Sequence, residues 1–195
     1  MNRRKEIYMN TVVPAFLKEG VKNAMAVPRI SKVVLSVGVG TKEANQKTAL
    51  EQTTAQMTKV TGQKPKSTAA RTSIAGFNVR EGQPVGIMVT MRGQRMWEFL
   101  DKLIGIVLPK LKDFQGVPLN AFDQNGNYNL GLAEQIVFPE VDYDTIDRVR
   151  GLQITIVTST HDRTQAHRLL ELLGMPFAKE AGAVKKKTKK KTRGK

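Results

Sequence analysis

Seven basic residues fall between Gln52 and Trp97: Lys59, Lys64, Lys66, Arg71, Arg80, Arg92 and Arg95. They face a single acid in that stretch, Glu81, and the segment is broken by Gly62, Gly76, Gly82, Gly86 and Gly93. Cations spaced along a glycine-punctuated, strand-forming segment suit a polyanion approached closely by backbone and side chain together. The chemistry implied is phosphate neutralisation, which points to nucleic acid.

Catalytic constellations are weak by comparison. His161 and His167 lie about 240° apart around a helix, so they do not share a face and read as ordinary surface side chains. Glu134, Glu140, Asp142, Asp144 and Asp147 have the oxygen ligands of a magnesium site, but no histidine or glycine loop accompanies them, and an exposed acidic loop is the simpler reading. Gly38-Val39-Gly40 follows a strand in the manner of a phosphate loop, yet lacks the third glycine and the Gly-Lys-Ser/Thr ending. There is no cysteine, which excludes thiolate zinc sites, thiol nucleophiles and disulfides. The pattern reads as no enzyme, with no cofactor and no metal.

The chain has 195 residues, a formal charge of +15 and 40% hydrophobic residues, enough to build a core. From Ala181 onward there are eight basic residues and no acid. The first 180 residues carry 24 basic and 17 acidic side chains, a net +7, so the body is basic in its own right. We expect one domain over 1–180 and a Lys-rich tail over 181–195. Like charges repel in that tail and nothing apolar anchors it, so its composition predicts disorder when free. No apolar run reaches the roughly 18 residues of a membrane span, and no apolar signal core follows the basic start. The reading is a cytoplasmic protein without a membrane partner.

The elements that must position the cations follow from periodicity. Arg3 to Val21 reads as an amphipathic helix bent or interrupted at Pro14. Ile30 to Val39 reads as a strand, with Val33, Leu35, Val37 and Val39 on one face and Lys32, Val34 and Ser36 on the other. Lys47 to Thr61 is a second helix stopped at Gly62. Phe77, Val79, Val85, Ile87, Val89 and Met91 share one face of a predicted hairpin turned at Glu81-Gly82-Gln83-Pro84, with Asn78, Arg80, Thr90 and Arg92 on its polar face. Gln94 to Leu111 carries a wide apolar stripe, with Pro109 ending the helix early. Asp113 to Asn129 is loop-like, and Glu134 to Phe138 is a candidate strand. Leu152 to Ser159 is a strand. Asp162 to Leu173 is a last helix, opened by an Asp162–Gln165 capping box and closed at Gly174.

This order predicts an α+β fold: a largely antiparallel sheet with helices packed on one face, an open face and a protruding β-hairpin loop. Lys32, Ser36, Thr90 and Arg92 fall on the open face. No aromatic accompanies them, so backbone and shape contacts to RNA fit better than base stacking.

Several segments together carry a family resemblance. They are Val27-Pro28-Arg29-Ile30 leading to Gly38-Val39-Gly40, Gly62-Gln63-Lys64-Pro65, and Ser73-Ile74-Ala75-Gly76-Phe77 with Arg80, Gly82 and Pro84-Val85-Gly86. Thr90-Met91-Arg92-Gly93 with Met96-Trp97-Glu98-Phe99 follows. Ala121-Phe122-Asp123 with Gly126-Asn127-Tyr128, Glu134-Gln135-Ile136 with Phe138-Pro139-Glu140, and Asp147-Arg148-Val149-Arg150-Gly151-Leu152 complete the set. From about Tyr8 to Phe177 the chain resembles the bacterial large-subunit ribosomal protein five family (universal L-five), which binds 5S ribosomal RNA.

The resemblance implies a structural constituent of the large subunit, seated in the central protuberance and bound to 5S rRNA and large-subunit rRNA. It implies that the loop around Ile74 to Gly86, with Phe77, Arg80 and Gln83, faces the elbow of the P-site tRNA. It implies a bridge from another surface to a small-subunit head protein. The family's 5S-contacting positions map onto Ser36, Gln63, Thr90 and Arg92. On this reading Arg29, Lys32, Lys64, Arg71 and Arg92 neutralise phosphates, and Ser36, Gln63 and Thr90 supply neutral hydrogen bonds. The rivals are a general nucleic-acid-binding or RNA chaperone module, which binds unrelated nucleic acids nearly as well, and an RNA hydrolase using the acidic loop.

The chain departs from the family pattern in three places. Ser36 stands where asparagine is frequent. Ala69, Ala70 and Thr72 stand where lysines are usual. Phe122-Asp123-Gln124-Asn125-Gly126-Asn127 lacks the usual arginine. Since the tail from Ala181 extends past the usual family end, it is placed to compensate for those missing cations on nearby rRNA. Deleting Ala181–Lys195 is therefore expected to lower both subunit occupancy and the salt dependence of RNA binding; no change in either measurement rejects that role.

Overall fold

The computed structural model describes residues 2–40, 46–112, 114–143, 146 and 148–178. The predicted tail, Asp144 and Asp147 lie outside them.

Strand alternation builds the centre of the molecule. In β1 (Ile30–Gly38), Val33, Leu35 and Val37 are buried while Lys32, Val34 and Ser36 are half-buried on the other side. β1 pairs antiparallel with β3 (Pro84–Met91) on one flank and with β5 (Leu152–Thr158) on the other. β2 (Lys66–Ala69) extends β3 and β4 (Tyr128–Leu132) extends β5, giving a five-stranded antiparallel sheet ordered β2-β3-β1-β5-β4. The register lines up Tyr128, Ile156, Val33 and Met91 as one buried row, and Leu130, Ile154, Leu35 and Val89 as the next. Each such side chain taken out of water contributes about 1.5–3 kcal/mol, and a one-residue slip would expose an entire strand's share.

Helices cover this apolar face. α3 (Gln46–Thr61) buries Ala49, Met57 and Val60, and α4 (Gly93–Lys102) buries Met96, Trp97, Phe99 and Leu100. The predicted stop at Pro109 does not occur. After α4 a five-residue π turn, Leu103–Val107, leads into α5 (Leu108–Lys110), which contains the proline. Pro14 is passed in the same way: α1 (Arg3–Ile7), a π turn over Tyr8–Val12, then α2 (Val13–Lys18). A proline ring crowds the carbonyl four residues back and donates no hydrogen bond, and a widened turn just before it relieves both problems. Arg4 pins the N-terminal helix. Its Nε pairs with Asp101 Oδ1 at 2.8 Å, and Nη1 donates to the Leu173 carbonyl at 2.6 Å. Among the described residues no helix is long and apolar enough to cross a membrane.

Three sequence expectations need correction. The partner of β3 is β2, not 77–80: Lys66 pairs with Met88 and Ser67 with Ile87. Residues 75–77 instead form a short 3-10 turn, with Asn78 at φ +54° and Phe77 well exposed. The strand expected over 134–138 is a 3-10 turn at Gln135–Val137, because the buried Gln135 side chain donates to Gln56 Oε1 and to the Arg148 carbonyl, both at 3.2 Å. The strand of this region is β4, which begins at the end of the stretch expected to be loop-like (113–129) and runs on to Leu132. The final helix, α6 (Arg163–Leu172), is capped by Asp162, whose carboxylate accepts from the Thr164 N–H at 2.9 Å. Gln165 does not close a capping box; its Oε1 accepts from the Thr160 hydroxyl at 3.2 Å.

A single turn starts β4. Asp123 accepts from the N–H groups of Asn125 (2.9 Å) and Asn127 (2.7 Å) and from the Asn127 side chain (2.8 Å). Partial burial opposes its charge, but these donors outweigh that and hold the carboxyl below its ordinary range. Gly126 sits in the same turn at φ +73°, where a Cβ would come within 2.5 Å of the Thr160 carbonyl oxygen. Gly126→Ala is expected to cost roughly 1–3 kcal/mol in denaturant unfolding, whereas Gly105→Ala, facing open space, should be neutral or slightly stabilising. Asp123 has a lowered folded pKa, so its stabilisation is present above the ordinary carboxylate pKa and is lost as pH falls through the lowered value. Asp123→Asn should therefore be less stable than the wild type near neutrality, with the gap in melting temperature closing in acid.

Candidate nucleic-acid interface

The face of the sheet opposite the core presents Lys32, Val34, Ser36 and Gly38 from β1, Gly86, Met88 and Thr90 from β3, and Gln153, Thr155 and Val157 from β5. Asn129 and Gly131 of β4 and Lys66 and Thr68 of β2 complete it. Pairing gives two polar rows. Asn129, Thr155, Val34 and Thr90 cross the sheet in one, and Gly131, Gln153, Ser36, Met88 and Lys66 in the other. No strand residue on this face is acidic. Gly38 pairs with Gly86. A Cβ on Gly86 would lie 2.7 Å from the Val37 carbonyl oxygen and 3.2 Å from Thr68 Oγ1. Glycine therefore keeps this part of the surface flat and lets a ligand backbone approach closely.

The predicted residues divide into groups. Lys32, Ser36 and Thr90 share the open face. Arg92 immediately precedes α4 and lies beside Lys32, since Met91 pairs with Val33. Arg29 precedes β1 at the same end of the sheet, its backbone tied to Ser159 by two bonds of 3.0 and 2.9 Å. Gln63 and Lys64 stand between α3 and β2, just before Lys66, whose pairing with Met88 puts the start of β2 toward the Thr90 end of the sheet. Arg71 is not in this cluster; it begins the loop that leaves the opposite end of the sheet after β2.

Charge is segregated. On the helix side Lys102 bonds Glu140 at 2.6 Å, Arg168 bonds Glu19 at 3.0 Å, and Lys59 bonds Asp142 at 3.4 Å. Among the described residues Arg29, Lys32, Lys64, Lys66, Arg71 and Arg92 form no ion pair. Their charge stays available to a polyanion.

The loop over 70–83 is closed at its base by hydrogen bonds between Ala70 N and Gln83 O (2.9 Å) and between Gly82 N and Ala70 O (3.0 Å). Near its tip Ile74 and Val79 exchange bonds of 2.9 and 3.2 Å. Arg71, Ile74, Phe77 and Arg80 are exposed. Gln83 is committed to holding the loop: its Oε1 accepts from the Arg80 N–H at 3.1 Å, and its amide donates to Gln46 Oε1 at 2.8 Å.

Sequence reasoning missed Asn129, Gln153 and Thr155. Asn129 Oδ1 accepts from the Thr155 hydroxyl at 2.7 Å and from Gln153 Nε2 at 3.4 Å, so the three form one polar patch. The signal was present: Gln153 and Thr155 alternate with Leu152, Ile154 and Ile156. His167 is not an ordinary surface side chain; it packs 4.6 Å from Phe177 and 6.0 Å from Phe122. Among the described residues no group of histidines and carboxylates could hold a metal ion.

Residues 23–80 match the family described as ribosomal protein L5, and residues 84–177 match the model of that ribosomal family's C-terminus. The large ribosomal subunit protein uL5 of Roseiflexus sp. (strain RS-1) is 53% identical over 176 residues, covering 90% of this chain and 97% of that protein. The uL5 of Thermoanaerobacter sp. (strain X514) is 52% identical over 180 residues, 92% of this chain and all of that protein. The uL5 of Streptococcus mutans serotype c is 51% identical over 179 residues, 91% and 99% respectively. The chain belongs to the ribosomal protein L5 family, a structural, non-enzymatic family of the large ribosomal subunit.

Proposed function

We propose that the open sheet face binds 5S rRNA, with Ser36, Gln63 and Thr90 as neutral hydrogen-bonding groups and Arg29, Lys32, Lys64 and Arg92 on phosphates. Arg71, at the other end of the sheet, serves a separate stretch of rRNA. The observation that carries this is the acid-free face whose bordering cations are not spent on internal ion pairs. Asn129, Gln153 and Thr155 enlarge the polar contact area toward β4. The particle is the large subunit of a cytoplasmic ribosome, where large-subunit rRNA is the second RNA partner.

The 70–83 loop, with Phe77 and Arg80 outward, contacts the P-site tRNA, and Gln83 positions it from within. A groove lined by Lys110, Leu111, Ile136, Val137, Tyr143 and Val149 is apolar enough to seat a small-subunit head protein.

Arg92→Ala is expected to weaken 5S rRNA binding and to reduce the slope of log affinity against log salt by about 0.7–0.9, one phosphate's worth, with the melting temperature unchanged. An unchanged slope in a folded variant would remove Arg92 from the interface. Competition by duplex DNA as effective as by 5S rRNA would favour a general nucleic-acid-binding module.

A further inference from the structure

Behind the cationic end of the sheet, α1 and the start of α4 leave a groove of about 370 Å³, lined in part by Lys5, Tyr8, Met9, Arg29, Met96 and Trp97. Its walls are fixed. Tyr8 and Trp97 sit with ring centroids 5.8 Å apart, and the Tyr8 hydroxyl donates to the Pro28 carbonyl at 3.2 Å. The Arg4 bonds to Asp101 and Leu173 hold α1 in place. Met9 is 51% exposed. Lys5 and Arg29 are exposed and form no ion pair among the described residues, and no acid lines the groove. Arg29 belongs both to this groove and to the end of the sheet where Lys32 and Arg92 meet. A polyanion lying across the open face thus finds a continuous cationic path round onto the helix layer.

We infer that this groove is an RNA subsite that takes one unstacked ribonucleotide, its base against Tyr8 and Met9 with the largely buried Trp97 as the floor and its phosphate between Lys5 and Arg29. The open face offers no aromatic side chain to a base, whereas the groove offers an aromatic wall beside two cations, the combination that holds unstacked bases elsewhere. The inference rests on the RNA-binding reading of the sheet.

The test uses the full chain with 5S rRNA in one arm and protein-free large-subunit rRNA in the other. Lys5→Ala should lower the salt slope by about 0.7–0.9. Met9→Ser should weaken binding about 10-fold with the slope unchanged, because it removes base contact and no charge. A loss confined to one arm identifies which RNA supplies the nucleotide. Wild-type binding by both variants in both arms, with Arg92→Ala still impaired, overturns the groove and leaves the sheet reading standing. If Arg92→Ala is also without effect, the sheet reading itself fails. An equal loss by Met9→Ser on duplex DNA overturns the base-holding role.

Discussion

The register of β1 against β3 and β5 is the constraint on which the rest of the molecule depends. Val33 opposite Met91 and Ile156, and Leu35 opposite Val89 and Ile154, commit the odd positions from Val33 to Val37 to the core. The even positions from Lys32 to Gly38 are then committed to the opposite face, because strand side chains alternate with a period of two. Neither face can be altered alone. Apolar burial at Val33 and Leu35 holds the strand, and Lys32 and Ser36 are displayed as a consequence. Neighbouring strands obey the same arithmetic, so five short segments distant in sequence present one polar surface.

That surface becomes electrostatically distinct through where the acids go. Asp101, Glu140, Asp142 and Glu19 are all engaged by cations on the helix side. The exposed pairs, Lys59–Asp142 and Arg168–Glu19, contribute only about 0.2–1 kcal/mol each to folding. Their larger consequence is spatial: these acids are neutralised away from the sheet, while Arg29, Lys32, Lys64, Lys66 and Arg92 beside it keep their charge. The net +7 of the first 180 residues spread evenly would give weak attraction everywhere; segregation gives it a direction.

Most of the architecture was legible in the sequence where a strong period ran for a whole element. β1, β5, α3, α4 and α6 were placed from alternation or apolar stripes, and Thr90 and Ser36 were assigned to the outward face by parity alone. Parity failed at 77–80. Phe77 and Val79 matched the odd positions of β3, but Asn78 takes a left-handed conformation at φ +54°, and the local Ile74–Val79 bonds close a turn instead. β2 was missed because Lys-Ser-Thr-Ala has no apolar face; it is an edge strand held by its ladder with β3. β4 was missed because its start depends on Asp123 gathering three donors, which no periodicity records. Pro109 misled because a proline stops a regular helix, while a π turn just ahead of it does not need the bond a proline lacks. The polar patch of Asn129, Gln153 and Thr155 required knowing that β4 lies beside β5, a long-range pairing absent from local pattern.

The kind of recognition this face supports follows from what it lacks. It has no aromatic side chain on which a base could stack, one end is kept low by Gly38 and Gly86 and its β4 edge by Gly131, and its polar groups are short: Ser36, Thr90, Thr155 and Asn129. On the proposed reading, short polar groups and a flat floor would admit the sugar-phosphate backbone of a folded RNA and match its shape, while lysines and arginines at the margin supply the attraction. Affinity on such a surface scales with the number of phosphates engaged, and discrimination comes from how many of the short groups a given backbone path can meet at once. The short Ser36 side chain fits the same logic, since a short group demands closer approach and therefore a closer match in shape.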